Sequence, residues 1–159
     1  MIFTALFKYR CEIGHKKEQG EWNVWITKAL QQLANRFPFP KHENRDIWIR
    51  CLPHAQYILD FRGCSDDKKA EQDLLEKLGR SYTILGKYRE SEQMILQTLN
   101  LTENMLGRKH PDTLNSMRNL TRALQNQRKD KESEQMHQQT LELRRKVSGA
   151  EHFNVAYSP

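Results

Sequence analysis

The sequence predicts an all-α fold of repeated antiparallel helical hairpins. Three observations carry that expectation: a 42-residue internal repeat, apolar residues at helical spacing inside each repeat, and a helix-leaning composition. Charged residues make up 29% and hydrophobic residues 37%, with only 7 Gly and 5 Pro among 159 residues. Slid against itself by 42 positions, the chain matches Leu78 to Leu120, Arg80 to Arg122 and Lys87 to Lys129. Glu90-Ser91-Glu92-Gln93-Met94 then falls unbroken on Glu132-Ser133-Glu134-Gln135-Met136. Gln97-Thr98-Leu99 follows on Gln139-Thr140-Leu141, Gly107 on Gly149 and His110 on His152. A five-residue identity inside a longer match marks a duplicated structural unit rather than chance.

The elements follow in order. Residues 1–20 carry no clear pattern and read as a winged-helix remnant or a frayed terminus. Residues 21–64 form a helical linker or capping region. Trp22, Trp25, Ile26, Ala29, Leu30, Leu33 and Phe37 share one helical stripe that Pro38 closes. After Phe37-Pro38-Phe39-Pro40 a second stripe runs through Ile47, Trp48, Cys51, Leu52, Ala55, Ile58, Leu59 and Phe61, with Gly63 at its end. Asp66 or Asp67 is placed to cap the next helix.

Residues 66–149 divide into two hairpins, 66–107 and 108–149. In the first, Leu74, Leu75, Leu78, Tyr82 and Leu85 line one arm, which Gly86 ends. Met94, Ile95, Leu99 and Met105 line the other, and Gly107 is placed for a left-handed C′ conformation. Pro111 suits the first turn of the next helix, where its missing N–H costs nothing. Leu114, Met117, Leu120 and Leu124, then Met136, Leu141, Leu143 and Val147, repeat the arrangement. Small residues mark the close approach of paired helices: Gly79 and Ser91, then Thr121 and Ser133. The second unit departs from the first, with Arg128, Asp130 and His137 standing where Gly86, Tyr88 and Ile95 stand. Residues 150–159 read as the start of a third unit, at His152-Phe153-Asn154. Three stacked units are the usual minimum, so the array reads as cut short, with an open end suited to self-association.

Leu78-Gly79-x-x-Tyr82, Gly86-Lys87-Tyr88 and the Ser91, Ile95, Thr98 spacing resemble the tetratricopeptide repeat. The 42-residue period and Leu106-Gly107-x-x-His110-Pro111-Asp112-Thr113-Leu114 look like its kinesin light chain subtype. The resemblance covers residues 70–156 and implies a right-handed superhelix of hairpins with extra N-terminal helices. Ala34-Asn35-Arg36-Phe37-Pro38-Phe39, followed by Trp48 and Cys51-Leu52-Pro53-His54-Ala55, is similar to another region. It is the stretch that joins ATPase module to repeats in fungal NB-ARC–tetratricopeptide proteins. That likeness implies the sensor end of a larger signalling ATPase. No G-x-x-x-x-G-K-[ST] loop is present in the sequence, so nucleotide hydrolysis is not expected of this polypeptide.

In such arrays the first helix of each hairpin lines a concave groove. The residues this implies are Lys77, Arg80 and Thr83, with Glu76 and Ile84 beside them, then Arg118, Asn119, Arg122, Gln125 and Asn126. Asn119 matches an inward asparagine that holds the backbone of an extended peptide in kinesin light chains. An amide offers both donor and acceptor to a peptide unit. Arg80 and Arg122, one repeat apart, would favour an acidic protein or peptide partner. The bland alternative for the same residues is a solvated helix face.

Other chemistries find less support. Cys51-x-x-His54 with Cys64, His15 or Cys11 lacks the two tight pairs of a structural zinc site, so neither metal nor cofactor is expected. A Cys–His nucleophile would lack an oxyanion hole and an orienting third group, so the chain is read as a non-enzyme. Three unpaired-looking cysteines and no export signal point to a reducing, cytoplasmic setting. No stretch approaches the ~20 apolar residues of a membrane span. A net charge of +6 raises nucleic acid as a partner, but few aromatics interleave with the basic residues to stack bases. The expected function is therefore a protein-binding scaffold. Its rivals are a truncated remnant with no function of its own and a basic nucleic-acid-associated protein.

Overall fold

The computed structural model describes residues 16–156, with side chains over 20–147. The expectations placed on Cys11, His15 and the 157–159 end lie outside the described residues. Among those described, the regular structure is entirely helical: α1 (Lys16–Arg36), α2 (Arg45–Leu59), a single 3-10 turn (Arg62–Cys64), α3 (Lys68–Ile84), α4 (Tyr88–Leu106), α5 (Pro111–Asn126) and α6 (Asp130–Ala156). Helices α3 and α4 form one hairpin and α5 and α6 the next, with α4 packed against α5.

Two apolar clusters hold the stack. The first joins Trp22, Ile26, Leu30, Ala34 and Phe37 of the N-terminal region to Trp48, Leu52, Ala55 and Ile58 of α2 and to Leu74, Leu75, Leu78 and Tyr82 of α3. The N-terminal helices therefore share a core with the first hairpin and cover its outer side. The second joins Ile95 and Leu99 of α4 to Leu114, Met117, Leu120, Ala123 and Leu124 of α5. The N-terminal stripes are narrower than their periodicity suggests. Trp25 and Ile47 are more than half exposed, because the core reaches only the i, i+4 row of α1 and the Trp48–Leu52–Ala55 row of α2.

The repeat is visible at the level of single hydrogen bonds. Ser91 Oγ donates to the Gly79 carbonyl at 2.9 Å, and Ser133 Oγ to the Thr121 carbonyl at 3.3 Å, so each hairpin is stitched at the same place. Each first arm also ends in the same turn. The Gly86 N–H reaches the Thr83 carbonyl and the Lys87 N–H the Tyr82 carbonyl; the Arg128 and Lys129 N–H groups reach the Gln125 and Leu124 carbonyls. This double closure needs a left-handed residue at its centre. Gly86 supplies it at φ 73°, whereas Arg128 is held at φ 58° with a side chain present. A left-handed non-glycine residue costs ~1–2 kcal/mol, partly offset by glycine's greater freedom in the unfolded chain. Arg128→Gly should therefore raise stability by about 0.5–1 kcal/mol, read as a higher urea midpoint. A lower midpoint would mean that the Arg128 side chain contributes something the turn geometry does not reveal.

Caps and ends agree with the sequence in part. The Ala70 N–H donates to Asp67 Oδ1 at 2.8 Å, and that bond, helped by Gln31, holds the Asp67 carboxyl below its usual range. Pro111 opens α5, where the Asp112 N–H donates to His110 Nδ1. Gly107 takes a positive φ of 83° but a ψ of 164°, an extended form open to glycine rather than the expected left-handed helical one. The largest difference is at the end of α6, which runs through Gly149 to Ala156 where a break and a third unit were expected. The earlier linker is broken by Pro111, whereas Gly149-Ala150-Glu151-His152-Phe153 contains no proline. One glycine costs a helix only about 1 kcal/mol, against ~3 for proline.

Candidate functional site

Helices α3 and α5 are the first arms of successive hairpins, and α4 packs against both. Their facing sides enclose an open cleft of ≈ 570 Å³. Arg80, Thr83 and Ile84 of α3 line one side, and Ser116, Asn119, Arg122, Ala123 and Asn126 of α5 the other. Ile95 and Thr98 of α4, both buried, form the floor between them. Pro40, Lys41, His42 and Glu43, which join α1 to α2, close one end.

That joining segment is tied down along its backbone. The Asn44 side chain accepts from the Lys41 N–H at 2.9 Å and donates to the Phe39 carbonyl at 3.0 Å. Arg80 Nε donates to the Pro40 carbonyl at 3.2 Å, and Trp48 Nε1 to the Lys41 carbonyl at 2.8 Å. The Arg80 guanidinium carbon also lies 4.5 Å from the centre of the Phe39 ring, within reach of a cation–π attraction. Pro38 and Pro40 restrict the segment before it binds, so ordering it against α3 forfeits little entropy.

The predicted groove residues separate accordingly. Arg80, Thr83, Asn119, Arg122 and Asn126 gather on the cleft. Lys77, Arg118 and Gln125 do not line it. Lys77 Nζ donates to the Ala34 carbonyl near the end of α1 and pairs with Asp73 at 2.7 Å. Arg118 and Gln125 lie on exposed parts of α5. Thr83 is partly engaged, since its hydroxyl bonds the Gly79 carbonyl and lies 2.8 Å from Ser91 Oγ. The end segment Pro40–Glu43 is the part of the site that periodicity did not reveal; the Phe-Pro-Phe-Pro string was its available signal.

Charge on the cleft is mixed: Lys41, Arg80 and Arg122 face Glu43 and Glu76. A separate polar lock ties the two hairpins together away from it. Lys129 Nζ lies 2.9 Å from Glu92 Oε2, and Gln127 Nε2 donates to the same carboxylate at 2.8 Å. Burial works to raise the Glu92 pKa, but these hydrogen bonds and the Lys129 charge outweigh it and hold the carboxyl below its usual range.

The cysteine candidates assemble nothing comparable. Burial pushes the Cys51 thiol up, away from the thiolate that nucleophilic or metal chemistry requires. Among the described residues no group of three or more His, Cys, Asp or Glu side chains is placed to hold a metal ion. No described helix is long and apolar enough to cross a membrane.

Residues 71–146, from α3 through most of α6, match the tetratricopeptide repeat family. Over that stretch the two hairpins resemble tetratricopeptide repeats. A nucleotide-binding leucine-rich repeat (NLR)-like protein of Hyaloscypha variabilis (strain UAMH 11265 / GT02V1 / F) is 44% identical over 102 residues. That stretch is 64% of this chain and only 10% of the relative, so the chain corresponds to a small part of that protein.

Proposed function

We propose that this chain is a protein–protein interaction module that holds a segment of another protein in the cleft between α3 and α5. The observation that carries the reading is the gathering of Asn119, Arg122 and Asn126 on a single concave wall above a buried floor. Tetratricopeptide repeats generally mediate contacts between proteins, which supports the same conclusion. Asn119 offers both a donor and an acceptor, so it can hold a peptide main chain without selecting its sequence.

The partner's charge matters less than the two arginines alone imply. Arg80 is already engaged by Pro40, and Glu43 and Glu76 offset part of the remaining positive charge. An acidic segment is favoured, but only weakly. The likeness to an NLR-like protein supports a repeat end that serves as sensor for a signalling ATPase, working in the cytoplasm without catalysis of its own. The kinesin light chain likeness rests on the 42-residue period and the 106–114 linker. A single-stranded nucleic acid fits less well. Phe39, the aromatic beside the cleft, is occupied by Arg80, and no aromatic is among the residues lining the walls.

The test is retention of a partner from cytosolic extract by wild type and by Asn119→Ala/Arg122→Glu, once equal folding is established. Loss of the retained protein in the variant is the expected result. Equal retention by both chains would place binding outside the cleft.

A further inference from the structure

The first repeat already has an occupant, and that occupant indicates what the second repeat accepts. Two cationic side chains of α3 each donate to a main-chain carbonyl of the N-terminal region: Lys77 to Ala34 and Arg80 to Pro40. Arg80 also lies against the Phe39 ring. A shift of 42 positions carries Lys77 to Asn119 and Arg80 to Arg122. Both of these line the cleft, beyond the point where Pro40–Glu43 closes it. Both remain hydrogen-bond donors, and neither engages a side chain or carbonyl among the described residues. The second repeat therefore presents the same two-donor, one-guanidinium arrangement without its peptide.

We propose that Arg122 and Asn119 form a subsite for an extended aromatic–proline segment of a partner protein. Its ring would lie on the Arg122 guanidinium, the carbonyl of the residue after the ring would accept from Arg122, and a carbonyl earlier in the segment would accept from Asn119, as Pro40 and Ala34 do at Arg80 and Lys77. This rests on the cleft being the binding surface and specifies what the cleft selects. Three features support an aromatic–proline segment over a merely acidic one. The arrangement on Arg80 uses a ring and a neutral carbonyl, with no carboxylate. A guanidinium stacks on a ring face while still donating in its own plane, which an ammonium cannot do. Glu43 and Glu76 on the same cleft oppose a strongly anionic ligand.

The test uses the whole chain and a fluorescent synthetic peptide, Arg-Phe-Pro-Phe-Pro-Lys-His, copying residues 36–42. Two comparison peptides accompany it, one with both Phe replaced by Ala and one Asp-rich without aromatics. The protein variants are Arg122→Ala, Arg122→Lys and, as a control outside the cleft, Arg118→Ala. Both positions are exposed, and equal far-UV spectra and melting would establish that folding is unchanged. The aromatic peptide should bind, and both Arg122 variants should weaken it by about tenfold or more, equivalent to ~1.4 kcal/mol. Arg118→Ala and the Ala-substituted peptide should show, respectively, no loss of binding and no binding. Equal affinity for the Asp-rich peptide, with Arg122→Lys as good as wild type, would overturn the aromatic subsite but leave the cleft as a charge-selecting site. Peptide binding that ignores every Arg122 variant would overturn the subsite, and it would overturn the cleft as well if Asn119→Ala/Arg122→Glu also bound the peptide unchanged. A concentration-dependent dimer abolished by Arg122→Ala would assign the subsite to the Phe37–Lys41 segment of a second copy, overturning the separate partner.

Discussion

Trp48→Ala is expected to destabilise the chain by about 3–5 kcal/mol, the range for emptying a large aromatic site in a core. Trp48 is fully buried between α1, α2 and the first hairpin. Its indole N–H also donates to the Lys41 carbonyl, one residue beyond the Pro40 carbonyl that Arg80 holds. The substitution therefore removes core volume and releases one anchor of the segment that closes the cleft. Trp48→Phe separates the two effects. It keeps most of the volume but loses the hydrogen bond, at a cost of roughly 1–3 kcal/mol for the carbonyl left unpaired. Trp25→Ala is the control, because Trp25 is 57% exposed and its loss should change stability by less than about 0.5 kcal/mol. Urea unfolding followed by far-UV circular dichroism measures all three. If Trp48→Ala cost no more than Trp25→Ala, the shared core of N-terminal helices and first hairpin would be wrong.

Gly79→Val is the second large effect, expected to cost about 1–3 kcal/mol. A Cβ at Gly79 would lie 3.1 Å from Ile95 Cγ1 and 3.5 Å from Met94 Cβ, inside the closest approach of α3 and α4. Alanine gains about 1 kcal/mol of helix propensity, which offsets much of that single contact. Valine adds two methyl groups in the same gap and has no comparable compensation. The second repeat shows how the sequence itself resolves the clash. Thr121 stands where Gly79 stands, and the residue facing it in register is His137, which is exposed, rather than a buried isoleucine. The cost of Gly79→Val should therefore shrink when Ile95→Ala is present, although Ile95→Ala is itself destabilising. Strictly additive losses in that double-mutant cycle would show that the glycine is not there for Ile95.

These two sites illustrate what the sequence could and could not disclose. The Gly79/Ser91 and Thr121/Ser133 pairs were legible because duplication displays each position twice, and the structure joins each pair by a hydrogen bond. Asp67 and Pro111 were legible because capping and helix entry depend on chemistry within one turn. Trp25 and Ile47 were not, since periodicity places a residue near a stripe without fixing the stripe's width. The continuation of α6 was hidden because Gly149 signals a break that the missing proline does not enforce. Lys77 and the 37–43 segment were least accessible of all. Their contacts span about forty residues, and a local pattern carries no information on which distant carbonyl a lysine will meet. For the same reason Arg118 and Gln125 shared a predicted face with Arg122 and Asn126 yet lie off the cleft.

The central claim is that a partner segment lies in the concave cleft, and site-specific photo-crosslinking tests it most directly. A photo-crosslinking side chain would replace Asn126, which lines the cleft, or Gln93, which lies outside it on the second helix of its hairpin. The retained partner should be captured from position 126 and not from position 93. Capture from position 93 alone would contradict the account and move the interaction to the opposite side of the repeats.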